Sequence, residues 1–482
     1  MPVTELVRKL LREGVWPQVW TLHWVVPLHK RKAVSDPANY RGVHLTAVLS
    51  KVVERVLNAL LGPYLCNSGA FGESQFAFQP GLSCSDLVAA LVGSWLLALE
   101  KGEKVGVYLS DISGAFDKVE TERLLSKLKA AGLNTQLLAF FRSYLAARKA
   151  VVLVNGERSD ELVLKDMVFQ GTVLGPTLWN TFFKDVRDAA QSTGGRESKF
   201  ADDLTVSKTF PATTSNEEVL ADLHNCQKNV HDWGRTNRVA FDAGKEAFVV
   251  LHHLQGEGED FRLLGPVLDS KLRMHSAVQK VVAKARPKPH ALLKTKRYYC
   301  TQDLVTQFKT HVLCVLESCT AAVYHATNTT LEPLDGVLTS FLRELDLTAS
   351  DAFLEYNLAP LALRRDVAML GLLHKCSLKR AHPQLQALFP TVQLQPTRHH
   401  TRLSERRHNR QLLERCTGHF LESTRRSVFG LVRVYNFLPQ AAVDATSVTA
   451  FQTALTNLVR EACERGEEDW ATLLSPRRVL QG

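Results

Sequence analysis

The sequence predicts an α+β fold, with helices packed on one face of a small antiparallel sheet and a mostly helical continuation. Three observations predict it. Two short apolar runs, 105–109 and 199–206, have the composition of strands, and each meets carboxylates. Around them, apolar residues recur at helical spacing over 46–61, 120–131 and 217–237. Beyond about residue 270 the helical period persists, and no internal repeat is present.

The elements follow in order. Residues 1–20 read as a short amphipathic helix running into Gly14-Val15-Trp16-Pro17, and 21–28 as a strand containing Pro27. A basic loop with Lys30-Arg31-Lys32 leads to Asn39-Tyr40-Arg41. Over 46–61, Val48, Leu49, Val52, Val53, Val56, Leu57, Leu60 and Leu61 form one helical face, which Gly62-Pro63 is expected to stop. Phe78-Gln79-Pro80-Gly81 is a turn, and Ser83 or Ser85 can cap a helix over 86–101. The strand 105–109 leads into Asp111, and helices over 120–131 and 135–147 come next. Residues 151–154 and 161–164 flank Asn155-Gly156, a hairpin signal. Gln170-Gly171 opens a helix expected to run to about residue 190. Gly194-Gly195 turns the chain into a hairpin with Asp202-Asp203 at its tip. A helix over 217–237 and a strand over 248–252 follow, and the loop 256–260 suits a domain boundary.

With 482 residues and 45% apolar content, the chain is long enough for two to four domains with cores of their own. A formal net charge of +10 and a pI of about 9.1 favour polyanionic partners. The N-terminus is too charged for a secretory signal, and no apolar run approaches the ~20 residues of a membrane span. The nine cysteines show no CxxC framework, which fits free thiols in a reducing compartment. Together these features make the expected protein soluble, intracellular (nucleus or cytoplasm) and without a membrane partner. Cys416-Thr417-Gly418-His419 lacks a second ligand pair at finger spacing and reads as a surface helix end.

The chemistry centres on Asp111, Asp202 and Asp203. Two strand ends about ninety residues apart bring three anionic groups towards one point. Like charges there repel unless a cation holds them. Mg²⁺ prefers oxygen ligands and shares its coordination with phosphates. Two such ions roughly 3.5–4 Å apart hold both the attacking and the leaving oxygen of a phosphoryl transfer. An isolated Asp-Asp pair is also common in solvated turns, so the surrounding motifs decide.

Those motifs occur in a fixed order: Asn39-Tyr40-Arg41, the 78–81 turn, Asp111-x4-Phe116-Asp117, Gln170-Gly171-x3-Gly175-Pro176, Phe200-Ala201-Asp202-Asp203, Trp233-x11-Lys245 and Leu264-Gly265-x2-Leu268-Asp269. The succession resembles the reverse transcriptase domain of non-LTR (LINE-type, jockey-like) retrotransposons, over about residues 20–275 and more loosely to the end. Leu331–Asp335, Leu361–Asp366 and Val434–Pro439 resemble segments that follow the thumb in that family.

The resemblance implies a right-hand polymerase: fingers with an N-terminal helix over 1–105, palm over 106–255, helical thumb over 256–350, and a helical, basic C-terminal region over 351–482. It implies an RNA-directed DNA polymerase that uses two Mg²⁺ ions, or Mn²⁺, with an RNA template, a DNA primer and dNTPs. It assigns metal binding to Asp111, Asp202, Asp203 and the backbone carbonyl of Ile112. Phe116 matches the aromatic under the incoming sugar, where a bulky ring excludes a 2′-hydroxyl. Gln170 and Gly171 match the turn beside the nucleotide and template, and Arg41 with the 30–32 loop matches the triphosphate side of the fingers. Lys245 matches the lysine that follows the Trp-containing helix and donates a proton to pyrophosphate, and Asp117 reads as structural.

The chain departs from the family pattern at Gly42, which follows Arg41, at Gln79 and Leu82 around the Pro-Gly turn, at Phe169 before the Gln-Gly pair, and at Phe200. The Arg- and His-rich stretch 379–426 is suited to run along phosphates. The chain begins almost at the fingers, and it carries no ribonuclease H or zinc-knuckle pattern, so a polymerase-only or truncated element is expected. Two alternatives stay open: a catalytically silent, retrotransposon-derived nucleic-acid-binding protein, and a viral-type RNA-dependent RNA polymerase. Template preference and oligomeric state are not encoded in these motifs.

Overall fold

The computed structural model describes residues 2–30, 33–112, 114–392, 408–416 and 421–477. Arg31 and Lys32 of the basic loop, the basic clusters at 398–402 and 406–407, and Thr417, Gly418 and His419 lie outside the described residues. The chain forms two compact units. The first comprises Met1–Gln79, Tyr108–Lys208 and Ala221–Ala247, and the second Pro80–Val107, Thr209–Leu220 and Phe248–Gly482.

In chain order the elements up to the last strand are α1 (Pro2–Glu13), β1 (Leu22–His29), β2 (Tyr40–Leu45), α2 (Val48–Asn67), α3 (Cys84–Glu100), β3 (Lys104–Ser110), α4 (Thr121–Ala130), α5 (Thr135–Tyr144), β4 (Arg148–Val154), β5 (Glu157–Arg158), β6 (Leu162–Leu164), α6 (Gly175–Phe182), α7 (Val186–Gln191), β7 (Arg196–Phe200), β8 (Asp203–Phe210), α8 (Asn216–Asn237), β9 (Ala247–Leu251), β10 (Phe261–Arg262) and β11 (Val267–Leu268). The α+β class and the helical continuation are borne out.

Two sheets matter for the site. In one, the order is β2-β1-β4-β5 with β6 also on β4. β1 pairs antiparallel with β2, setting Leu28 opposite Arg41, and parallel with β4, setting Leu22 opposite Lys149. The parallel pairing adds β1 to the expected hairpin, whose turn residues Asn155 and Gly156 both have positive φ, at +51° and +89°. The other sheet has the order β7-β8-β3-β9, and β7 and β8 are antiparallel with Phe200 opposite Asp203 as the last pair. All seven residues of β3 are buried, so it carries Asp111 from a fixed strand.

Three expected boundaries are corrected. α2 does not stop at Gly62-Pro63 but runs to Asn67. Pro63 is solvent-exposed, so water can satisfy the carbonyl it fails to bond, and fully buried Leu65 anchors the last turn. The helix expected to run from 175 to about 190 is two, α6 and α7. Lys127 explains the break: its ammonium donates to Phe182 O (2.7 Å) and to Asp185 Oδ1 (2.8 Å), taking a carbonyl that a continuing helix would use. α5 ends at Tyr144, short of 147, because Arg148 already starts β4.

The first unit closes around Phe140, Phe141, Tyr144, Trp179, Phe182 and Phe183, all essentially buried. Trp179 and Phe183 stack with centroids 5.2 Å apart. In the second unit, Ser83 caps α3 through a reciprocal capping box with Asp86. The Asp86 carboxylate accepts a hydrogen bond from Lys375 at 2.7 Å, inside the helical region. Among the described residues no helix is long and apolar enough to cross a membrane, and no cysteine is in a disulfide.

Candidate active site

The carboxylate hairpin has Ala201 and Asp202 as its two-residue loop, between Phe200 and Asp203. Ala201 takes φ +58°, the left-handed region at the first loop position, where glycine is favoured. Holding an L-residue there costs roughly 1–2 kcal/mol. Three hydrogen bonds grip the backbone of this one residue. Gln75 Nε2 donates to Ala201 O (3.2 Å), Ala201 N donates to Gln75 Oε1 (3.0 Å), and Trp179 Nε1 also donates to Ala201 O (3.0 Å).

Asp111 follows β3 directly. Its carbonyl accepts from Asp242 N at 2.9 Å, and Ile112 faces Phe241 in an isolated antiparallel bridge. These contacts bring the 241–245 turn to the carboxylates. There the Lys245 ammonium pairs with the Asp111 carboxylate and lies 3.5 Å from Asp242 Oδ2. The Asp111 contact holds the Lys245 pKa above its ordinary value.

The three aspartates feel one another. Asp202 is raised to about 6, first by burial and then by the charge of Asp111, with Arg41 pulling the other way. Asp203 is raised to about 7, first by loss of water and then by the charges of Asp202 and Asp111, against which Lys245 acts. Arg41 also lowers Asp117, whose pKa is raised overall by burial. The fold therefore gathers Asp111, Asp202, Asp203, Lys245 and Arg41 into one electrostatic neighbourhood.

A divalent cation is the chemical complement of this donor set. The donors are all carboxylate oxygens, and burial, with mutual repulsion second, already pushes two of them towards protonation. In the present arrangement the Lys245 ammonium supplies part of that countercharge at Asp111. Among the described residues no three acidic, histidine or cysteine side chains are closed into a ready metal cluster.

Phe116 is half-buried and stacks on Trp179, centroids 5.5 Å apart and planes 25° from parallel. Its carbonyl accepts from Val168 N at 2.8 Å. The same indole thus fixes Phe116 by its face and Ala201 by its N–H.

Gln170 and Gly171 form a turn against β2. Gln170 O accepts from His44 N at 2.9 Å. Gly171 has φ +100°, and a Cβ there would lie 2.7 Å from His44 O, so only glycine fits. Behind the turn sits a buried polar set that sequence reasoning missed. Glu54, fully buried on α2, accepts from Val173 N (2.6 Å) and Leu174 N (3.1 Å), capping the start of α6. Arg148 donates to Tyr144 O (2.6 Å), contacts His23 Nε2 (2.7 Å), and lies 4.3 Å from the Phe169 ring centre. His23 and His44 meet through their Nδ1 atoms at 3.1 Å, and both rings contact Phe169 edge-on. Burial, then the Arg148 charge, lowers His23 to about 3 and His44 to about 4. Phe169, a departure from the family pattern, is thus the anchor of the turn. That departure was the one signal pointing here. Gln75 gave only a lone amide in an apolar run.

Comparison with known proteins fits this geometry. The family described as "Reverse transcriptase (RNA-dependent DNA polymerase)" matches residues 28–281. The chain is 29% identical over 287 residues to the RNA-directed DNA polymerase from mobile element jockey of Drosophila funebris, covering 55% of this chain and 31% of that protein. It is 30% identical over 207 residues to the probable RNA-directed DNA polymerase from transposon X-element of Drosophila melanogaster, covering 42% and 23%. The chain thus spans a third or less of the length of these curated relatives. Among solved structures, apo telomerase from Candida tropicalis aligns with TM-score 0.43 and 11% identity, covering 76% of this chain and 66% of that one. With the family match extending over more than half of its length, the chain belongs to the reverse transcriptase (RNA-dependent DNA polymerase) family, in its non-LTR, LINE-type branch.

Proposed function

We propose that this chain is an RNA-directed DNA polymerase that adds nucleotides from dNTPs to the 3′-OH of a DNA primer on an RNA template. The observation that carries the reading is the mutual field of Asp111, Asp202 and Asp203, on two adjoining strands of one sheet. In this reading residues 1–105 are fingers, 106–255 palm, 256–350 thumb and 351–482 a basic helical extension.

The three aspartates and the Ile112 carbonyl would hold two Mg²⁺ ions, or Mn²⁺, which would supply charge neutralisation at the transferring phosphoryl group and alignment of the primer hydroxyl. The chain's own groups do the rest. Arg41, whose charge reaches Asp202 and Asp117, binds the triphosphate as a fork. Phe116, held flat on Trp179, stands under the sugar and excludes a 2′-hydroxyl. Gly171 lets the backbone approach the nucleotide, with Gln170 beside base and template. Lys245 keeps its proton through its pairing with Asp111, as a donor to departing pyrophosphate requires. Cysteines that form no disulfide among the described residues support an intracellular setting, nucleus or cytoplasm.

Extension of a DNA primer on an RNA template by the purified chain, with dNTPs and Mg²⁺, tests the proposal. Incorporation that stops in Asp202→Asn is expected, and incorporation that persists there removes the carboxylates from the mechanism. One observation favours a second reading, a silent nucleic-acid-binding protein: Asp111 is engaged by Lys245. RNA binding without metal-dependent extension would decide for it.

A further inference from the structure

We infer that Gln75 is a positioning residue of the carboxylate hairpin, whose side-chain amide holds the Ala201 peptide left-handed and so sets the approach of Asp202 and Asp203 to a divalent cation. The inference rests on the polymerase reading for its catalytic consequence, and on hydrogen bonding alone for its geometry.

Gln75 is 1% exposed. Its backbone is fixed beside β7: it forms a parallel bridge with Lys199, flanked by hydrogen bonds from Lys199 N to Ser74 O (2.8 Å) and from Phe76 N to Lys199 O (2.9 Å). The amide orientation is fixed too, because Oε1 accepts from both Ala77 N (3.0 Å) and Ala201 N (3.0 Å). Only Nε2 then remains to donate to Ala201 O. Gln79 Nε2 closes the arrangement on Gln75 O at 2.6 Å.

The site demands this side chain. Gripping both the N–H and the C=O of one residue takes a donor and an acceptor on the same planar group, which glutamine has and an ionised glutamate lacks. A neutral group also adds no charge beside three carboxylates that already repel. Trp179 supports the carbonyl only, so without Gln75 the Ala201 N–H loses its partner, and alanine's own preference for negative φ acts on the loop. Asp202, the next residue, moves with it. Outer partners that orient ligands typically change metal affinity by about 10–100-fold.

The test is a mutant cycle between positions 75 and 201, read by calorimetric titration with Mn²⁺ in the absence of nucleotide and by single-nucleotide incorporation. Gln75→Met, which keeps volume and loses all three side-chain hydrogen bonds, is expected to weaken Mn²⁺ binding about tenfold and lower kcat alike, with KM for dNTP changed by less than about twofold. Adding Ala201→Gly, which removes the penalty on positive φ, is expected to recover most of both losses. Unchanged Mn²⁺ affinity in folded Gln75→Met, or purely additive effects in the double variant, overturns the inference. Should Gln75→Met not fold, Gln75→Asn gives the same reading, since it stays neutral and polar but falls one methylene short of the Ala201 backbone. Asp202→Asn, run alongside, separates the two claims. If it leaves Mn²⁺ binding and extension intact, the polymerase reading fails, while coupling between 75 and 201 in thermal midpoint still judges the hairpin support.

Discussion

Two loops of the first unit are each held from behind by buried polar side chains, and the two supports differ in kind. Under the Ala201-Asp202 loop the support is neutral, the Gln75 amide and the Trp179 N–H. Behind the Gln170-Gly171 turn it is charged, with Glu54 on the amides that open α6 and Arg148 among His23, Tyr144 and Phe169. The influences on Asp202 and Asp203 are burial and the neighbouring aspartates, opposed by Arg41 at Asp202 and by Lys245 at Asp203. The difference teaches that an amide and an indole can fix a loop without adding charge beside three anions, whereas a helix start accepts a carboxylate because its free amides attract one.

The charged support is the more costly to break. Glu54→Ala leaves one buried and one part-buried amide without acceptors and Arg148 without its neighbouring anion, an expected loss of roughly 2–4 kcal/mol of stability. Urea unfolding should show it, and Glu54→Gln, which keeps an acceptor, should lose about half as much. An equal and small effect in both would mean the turn is held by packing alone.

Phe116 probes the element that both the loop and the sugar site use, the Trp179 face. Phe116→Val should raise the rNTP-to-dNTP incorporation ratio by roughly one to two orders of magnitude, the range a steric pocket commands. Unchanged discrimination would make the ring a packing group only.

The supports should also differ in pH response. His23 and His44 lie below their unfolded pKa, so the unfolded chain binds more protons than the folded one between pH 6.5 and about 4. The stability they contribute is present above pH 6.5 and declines as pH falls through that window, by up to about 1.4 kcal/mol per pH unit for each histidine. Replacing His44 with Gln should flatten the acid side of a thermal-midpoint profile, and Gln75→Met should leave its slope unchanged.

The smallest effect concerns Lys245. Its ammonium and a divalent cation compete for Asp111, so Lys245→Met should tighten Mn²⁺ binding a few-fold in calorimetry while lowering kcat. Weaker binding would mean the lysine organises the site rather than guarding it.

What was legible in the sequence was local. Strand ends bearing Asp111 and Asp202, the Asn155-Gly156 turn and the capped start of α3 declare themselves within a few residues. The supports do not, because each meets its partner far along the chain. Gln75 bonds a residue 126 positions away, Glu54 one 119 away, and Arg148 one 125 away. No periodicity marks such a side chain in advance. The same holds for the α6–α7 break, made by a lysine 55 residues upstream. Pro63 erred in the other direction: its local rule is sound, but exposure on a helix anchored by Leu65 overrides it.

The central claim is that Asp111, Asp202 and Asp203 act as one site for nucleotidyl transfer. Single-turnover incorporation of one dNTP on an RNA template, comparing the wild type with Asp111→Asn and Asp202→Asn, tests it most directly. The account predicts a loss of about three orders of magnitude or more in each variant, with RNA binding retained. Incorporation within tenfold of wild type in either would contradict it.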